Sequence, residues 1–289
     1  MVNSPIKWVG GKSRLRKQII SLFPQEGHTC YVEPFAGAAW VLFGKAPSPV
    51  EVLNDIDQEL INFFRVVKAK PEELIHSFDI ELASRAEFEY LASLNPNELS
   101  DIQRAHRFYY LIMAGWGGEL NYPRFQTSIT DGGHGNRLIG ALKNLRKRID
   151  PVYERLRTVI IENLSWEECL ARYDREGTLM YLDPPYPGNG CNYAHNMKSW
   201  EEHRQLVNAL TNAKCKWILS SYDTNEVRNL FADKPDVHFV QVQSSSGMKT
   251  QKNSKTRVVN REVLVTNFQP LAGNRVELVA THKQKSLPV

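Results

Sequence analysis

The segment Leu179-Met180-Tyr181-Leu182-Asp183-Pro184-Pro185-Tyr186 constrains the chain more than any other. Four consecutive apolar residues suit a short strand covered on both faces, as in a parallel sheet. Pro184 and Pro185 cannot donate to a ladder, so the strand stops there. Asp183 is thereby set at the carboxyl end of a buried strand, where open α/β sheets bind their ligands. Its carboxylate and the Pro184 carbonyl are two acceptors on a stiff stretch of backbone, and Tyr186 adds a flat ring with a polar tip. Two convergent acceptors beside a stacking ring suit a planar group carrying an NH2, such as the amino edge of adenine or cytosine. The same tetrapeptide also reads as a Pro-Pro turn in which Asp183 only caps the next segment. Its context must decide.

Upstream, Cys30 to Glu33 reads as a strand running into Pro34-Phe35-Ala36-Gly37-Ala38-Ala39-Trp40 and a helix from Val41 to Lys45. That is the first βα unit of a nucleotide-binding sheet, with small residues that let the backbone approach a cofactor. Ala39 stands where a second glycine would be expected. Val50 to Leu53 is the next strand and ends in Asn54-Asp55. An acid there suits ribose hydroxyls, although Asp55 or Asp57 would serve equally as N-cap of a helix over Gln58 to Lys68. At the N-terminus, Gly10-Gly11-Lys12-Ser13 superficially resembles a phosphate-binding loop. That motif needs a glycine where Ile6 stands and a preceding strand for which there is no room, so it is rejected.

The strand–helix alternation breaks between about Pro71 and Asp150. Glu72 to Phe78, Ala86 to Leu94 and Ile102 to Met113 are expected to be helical. Gly115 to Gly135 is a glycine-, asparagine- and aromatic-rich loop carrying Asn121, Tyr122, Arg124 and Gln126, and Arg137 to Arg148 reads as one basic helix. Arg, Asn and Gln are suited to reading base edges. Alternation then resumes, with strands at Thr158 to Glu162, Leu179 to Leu182, Trp217 to Ser220, Val237 to Val242 and Glu262 to Asn267. Ser244 to Lys255 is expected to be a flexible basic loop, and little order is expected beyond Pro270.

The net charge of +4 is modest, so its distribution carries the information. Lys7, Lys12, Arg14, Arg16 and Lys17 form one acid-free basic segment. Arg137, Lys143, Arg146, Lys147 and Arg148 form a second, and Lys249, Lys252, Lys255, Arg257 and Arg261 a third. Three such clusters point to a polyanion partner, with solvated faces as the alternative. Cys30, Cys169, Cys191 and Cys215 are scattered without a C-x-x-C pair, so neither a disulfide framework nor a zinc site is expected. The absence of a long apolar stretch or signal peptide leads to an expectation of a cytoplasmic protein without membrane contact.

Taken together, Lys7-Trp8-x-Gly10-Gly11-Lys12, Glu33-Pro34-Phe35-x-Gly37, Asn54-Asp55-x-Asp57, Asp183-Pro184-Pro185-Tyr186 and Asn260 to Asn267 resemble, in order and spacing, the motifs of the Dam-like (D12 class) adenine-N6 DNA methyltransferases. The resemblance covers roughly residues 5 to 268. It implies an α/β fold, a seven-stranded Rossmann-like sheet of the S-adenosylmethionine (AdoMet)-dependent methyltransferases, with an inserted, mostly helical target-recognition lobe. Residues 1–70 and 151–270 would form the core, 71–150 the lobe and 271–289 a flexible tail. By this resemblance Trp8, Lys12, Phe35, Gly37, Asp55 and Asp183 would line AdoMet, and Asp183, Pro184, Pro185 and Tyr186 would be catalytic. Lys7, Asn121, Tyr122, Arg124, Arg137, Lys249, Lys252 and Lys255 would contact double-stranded DNA, with no metal required and a monomer or weak dimer as the working unit. Ala39 departs from the usual F-x-G-x-G. The alternatives are methylation of cytosine N4, which the same acceptors fit, and a catalytically silent DNA-binding relative.

Overall fold

The strand ending at Asp183 is the fourth of eight among the described residues, and it lies in the middle of the sheet. The computed structural model describes residues 1–115, 124–125, 137–186, 197, 199–234, 236–245, 259–270 and 277–279. The strands are β1 (Cys30–Glu33), β2 (Val50–Asn54), β3 (Val159–Glu162), β4 (Thr178–Leu182), β5 (Lys216–Tyr222), β6 (His238–Ser245), β7 (Val259–Thr266) and β8 (Glu277–Val279). They form one sheet in the order β3-β2-β1-β4-β5-β7-β6-β8. The first five are parallel, whereas β7 runs antiparallel between β5 and β6. Up to β6 this order, with β7 reversed, is the Rossmann-like methyltransferase arrangement that the resemblance implies, and it is extended by one edge strand that is also reversed. β8 pairs antiparallel with β6 beyond Pro270, where little order is expected of a chain terminus.

All five residues of β4 are buried, and alternate side chains enter opposite cores. Leu179 and Tyr181 join the cluster built with α1 (Arg16–Ser21), α2 (Trp40–Gly44) and α3 (Gln58–Ala69). Met180 and Leu182 join the other. The period of two explains why an unbroken apolar run is needed here, each fully buried side chain contributing roughly 1.5–3 kcal/mol.

The helices of the block that breaks the alternation are α4 (Pro71–His76), α5 (Arg85–Ser93), α6 (Asp101–Ala114), α7 (Arg137–Lys143) and α8 (Leu145–Leu156). They extend the same apolar cluster as α2 and α3. Phe63 of α3 meets Phe108 and Tyr109 of α6 at ring separations of 5.4 and 5.8 Å. The single basic helix expected over Arg137 to Arg148 is instead two. Asn144 leaves the helical region (φ −112°, ψ 18°), and its side-chain amide donates to the Gly140 carbonyl, satisfying an acceptor freed by the break. The second helix also continues through Pro151 to Leu156. Leu145, Ile149, Val152 and Leu156 form one fully buried face, and its burial outweighs the ~3 kcal/mol that an interior proline costs.

The remaining helices, α9 (Trp166–Tyr173), α10 (Trp200–Thr211) and α11 (Asn225–Asn229), follow β3, β4 and β5. Ser100, Ser165 and Ser199 each open a helix with a reciprocal capping box, so these starts are set locally. Among the described residues no helix is long and apolar enough to cross a membrane. No group of three or more His, Cys, Asp or Glu side chains among them is arranged to hold a metal ion.

Candidate functional site at the carboxyl ends of β1, β2 and β4

β1 and β4 are neighbours, and the chain leaves them toward opposite edges of the sheet. The crevice above such a switch point is where doubly wound sheets bind ligands. Buried Asn54 ties its rim together. Its amide donates to the Pro34 and Leu164 carbonyls at 2.9 and 3.1 Å and its side-chain oxygen accepts from Leu164 N at 2.8 Å, joining the ends of β1, β2 and β3.

On the β1–β2 side, Gly37 has a left-handed backbone (φ 48°), and an added Cβ would lie 2.8 Å from the Trp8 ring. Only glycine lets the indole lie directly on this turn. Asp55 accepts from Gly37 N at 2.9 Å and from Asp57 N at 3.0 Å. Asp57, not Asp55, caps α3, accepting from Glu59 N and Leu60 N. That resolves the choice left open by the sequence and leaves Asp55 beside the glycine turn. Burial pushes the Asp55 pKa up to about 6, against the pull of those two amides. Phe35 is half-buried and packs against the cluster of Val32 and Met180.

Ala39, the residue in place of the second glycine, also adopts a left-handed conformation (φ 52°, ψ 37°) as N-cap of α2, and its methyl side chain offers no cap. Glu33 reaches across from β1 instead. Its Oε1 accepts from Leu42 N at 2.6 Å and from the Tyr31 hydroxyl at 2.8 Å. Complete burial raises its pKa to about 8 despite those bonds.

On the β4 side, Lys12 Nζ lies 2.8 Å from Asp183 Oδ1 and 3.6 Å from Glu262 Oε2, and donates to the Gly10 carbonyl at 2.9 Å. The Tyr186 hydroxyl is 3.1 Å from Asp183 Oδ1 and 3.2 Å from Glu262 Oε2. The Tyr186 ring carries the Lys12 ammonium 5.0 Å from its centroid and meets Tyr222 edge-on at 4.6 Å. Burial raises the Asp183 pKa while Lys12 opposes the rise. Burial acts to lower Lys12, but Asp183 and Glu262 outweigh it and hold the ammonium above its usual range. Tyr186, buried beside two carboxylates, is pushed well above an ordinary phenol and remains a neutral donor. The described partners of Asp183 are side chains of this cluster, and α10 is capped by Ser199. Among the described residues Asp183 caps no segment; residues 187–196, which directly follow Tyr186, lie outside them.

The structure therefore brings Lys12, Asp183 and Tyr186 into one cluster and sets Trp8, Gly37 and Asp55 together in another. Lys7 donates to the Met113 carbonyl at 3.0 Å and lines, with Trp8, Trp40 and Arg148, a cleft of about 530 Å³. Arg124 is exposed. Arg137 begins α7, with its side chain outside the described residues, as are Asn121, Tyr122, Lys249, Lys252 and Lys255. Glu262 and Glu33 lie inside two of the motif segments quoted above, but residue type and spacing gave neither a role in the site. The available signal was a lone acid beside an apolar strand run, Val263 to Val265 for the one and Tyr31-Val32 for the other.

A family model described as D12 class N6 adenine-specific DNA methyltransferase matches residues 8–248. The chain is 26% identical over 279 residues to the type II methyltransferase M1.LlaDCHI of Lactococcus lactis subsp. cremoris, covering 91% of this chain and 94% of that protein. It is 28% identical over 231 residues to the type II methyltransferase M.CviBI of Paramecium bursaria Chlorella virus NC1A, covering 78% and 85%. It is 26% identical over 266 residues to the retron Ec67 DNA adenine methylase of Escherichia coli, covering 88% and 89%.

Proposed function

The chain belongs to the D12 class of N6 adenine-specific DNA methyltransferases, and from that premise we propose which of its residues hold AdoMet, adenine and DNA. The enzyme transfers a methyl group to the N6 amino group of adenine in DNA. Bound AdoMet supplies an electrophilic methyl group on a sulfonium; the rest of the chemistry falls to the protein.

The Trp8–Gly37–Asp55 side fits a nucleoside-bearing group. The indole and Phe35 offer apolar rings, the glycine turn allows close backbone approach, and the Asp55 carboxylate retains acceptor capacity for ribose hydroxyls. The Lys12–Asp183–Glu262 side fits the charged end, with one cation for a carboxylate and two anions for cationic groups.

The observation that carries the catalytic reading is the partly buried Asp183 carboxylate, held by Lys12 and Tyr186 at the end of β4. An adenine amino nitrogen is a poor nucleophile because its lone pair is delocalised into the ring. Asp183 and the Pro184 carbonyl accept its two N–H bonds, which localises the lone pair for direct in-line attack without a covalent enzyme intermediate. Both acceptors act on charge that develops in the transition state, where fixed dipoles lower barriers most. The surplus proton on nitrogen passes to the Asp183 carboxylate and then to water.

The target base is reached only after leaving the duplex, at a cost of a few kcal/mol. Stacking on Tyr186 offsets part of this, about 1–3 kcal/mol. Residues 71–150 read as the target-recognition part. The exposed side chains of Arg124, Lys143, Lys147 and Arg148 support a surface that meets phosphates, with Lys7 nearer the site.

The test compares wild type with Asp183→Ala, using tritiated AdoMet and unmethylated DNA, with the modified base identified by mass. N6-methyladenine is expected, with transfer reduced 100-fold or more in the variant, equivalent to ~3 kcal/mol of barrier. Label on cytosine N4, or undiminished transfer by the variant, would refute the assignment.

A further inference from the structure

Glu262 is a second carboxylate in the methyl-transfer site, more deeply buried than Asp183, and it comes from the antiparallel strand β7, not from the Asp-Pro-Pro-Tyr segment. Its side chain is 9% exposed. It stands opposite Tyr222 of β5 in the ladder, and the Tyr222 ring in turn packs against Tyr186. The Tyr186 hydroxyl is almost equidistant from two carboxylates, at 3.1 Å from Asp183 Oδ1 and 3.2 Å from Glu262 Oε2. Lys12 is shared less evenly, at 2.8 and 3.6 Å.

This geometry sets a problem for the reaction. Asp183 has to accept an N–H of the incoming amine, yet its Oδ1 faces an ammonium and a phenol. The second carboxylate oxygen can still accept, but an ammonium left on Oδ1 draws charge from both oxygens and weakens the acceptor. Releasing Lys12 with no second carboxylate would leave a buried cation with only the neutral Gly10 carbonyl, a penalty of several kcal/mol.

We propose that Glu262 is a positioning residue, the acceptor that takes over Lys12 and the Tyr186 hydroxyl when Asp183 turns to the target amine. The proposal rests on the catalytic reading of Asp183 given above. The hand-over needs only that the 3.6 Å Lys12–Glu262 separation close to the ordinary length of a charged hydrogen bond. The Tyr186 hydroxyl is already within reach of Glu262, so no buried donor is left unsatisfied at any stage. A second consequence is electrostatic. One ammonium against two carboxylates gives the cluster a formal charge of −1, which favours a sulfonium over the neutral sulfide left after transfer. Glu262 thus biases the site toward AdoMet and against S-adenosylhomocysteine.

The test uses the full chain with Glu262→Gln, which keeps shape and removes charge, and Glu262→Asp, which keeps charge. Dissociation constants for AdoMet and S-adenosylhomocysteine are measured by calorimetry, and methyl transfer to unmethylated DNA is followed in a single turnover. For Glu262→Gln the preference for AdoMet over S-adenosylhomocysteine should fall roughly tenfold. Transfer should slow by at least the same factor at saturating DNA, and Glu262→Asp should regain much of the preference. An unchanged preference in Glu262→Gln would overturn the proposal, as would an equal loss of both ligands together with a lowered melting temperature. Asp183→Ala in the same assays separates the two claims. If it still transfers methyl groups, the catalytic reading fails; if it is inactive while Glu262→Gln behaves as wild type, only the role of Glu262 falls.

Discussion

Lys12 Nζ lies 2.8 Å from Asp183 Oδ1, so a buried lysine of the N-terminal Gly-Gly-Lys turn forms an ion pair with the partly buried carboxylate that ends β4. The pair has a direct consequence for pH dependence. Burial raises the Asp183 pKa and Lys12 restrains that rise. Removing the ammonium in Lys12→Gln lets the pKa climb further, so the carboxylate protonates at higher pH. The acid limb of the kcat/KM profile for DNA should move to higher pH by a unit or so, roughly 1.4 kcal/mol per unit. An unmoved limb would mean that Asp183 does not limit the rate.

Asp55 predicts a pH dependence of binding. Its pKa is raised to about 6 by burial, and only its ionised form is a full acceptor for ribose hydroxyls. AdoMet affinity should therefore be constant above pH 7 and fall as pH drops through 6. Asp55→Asn should bind more weakly at neutral pH and lose this dependence. Isothermal titration between pH 5 and 8 checks both.

Glu33 predicts a pH dependence of stability. Burial raises its folded pKa to about 8, above the unfolded value. The unfolded chain therefore releases this proton first, and the stability present below pH 4.5 is lost as pH rises to about 8. Glu33→Gln, which keeps the acceptor for Leu42 N, should match wild type near pH 4.5. It should become relatively more stable toward pH 8, by an amount on the order of a few kcal/mol. Denaturant melts at the two pH values are the measurement.

Ala39 predicts a gain. Its left-handed conformation (φ 52°) is strained for a residue with a Cβ. Relief in Ala39→Gly is worth about 1–2 kcal/mol, partly offset by the greater freedom of glycine in the unfolded chain. A net rise of about 0.5–1 kcal/mol, or about 2 °C in Tm, is expected by calorimetry.

Much of the site was legible locally. Prolines after an apolar run end β4 at Asp183, and serine capping boxes start α6, α9 and α10. The break at Asn144 and the helix running through Pro151 were not legible, because a buried face of Leu145, Ile149, Val152 and Leu156 overrides a local helix breaker. β8 escaped notice for the same kind of reason, since a three-residue edge strand exists only through its pairing with β6.

By itself, the sequence determined which residues end strands and open helices, the α/β class, and the acceptor-and-ring chemistry of Asp183 to Tyr186, because each depends on neighbours along the chain. Only the tertiary structure decided that Asp57 caps α3 while Asp55 faces the glycine turn, and that Glu33 supplies the cap Ala39 lacks. It alone set Glu262, 76 positions from Tyr186, on the same hydroxyl as Asp183. Strand order and register bring such residues together, and ladder hydrogen bonds are made by backbone groups common to every residue. Their partners are chosen by the packing of whole faces, which no local stretch of sequence encodes.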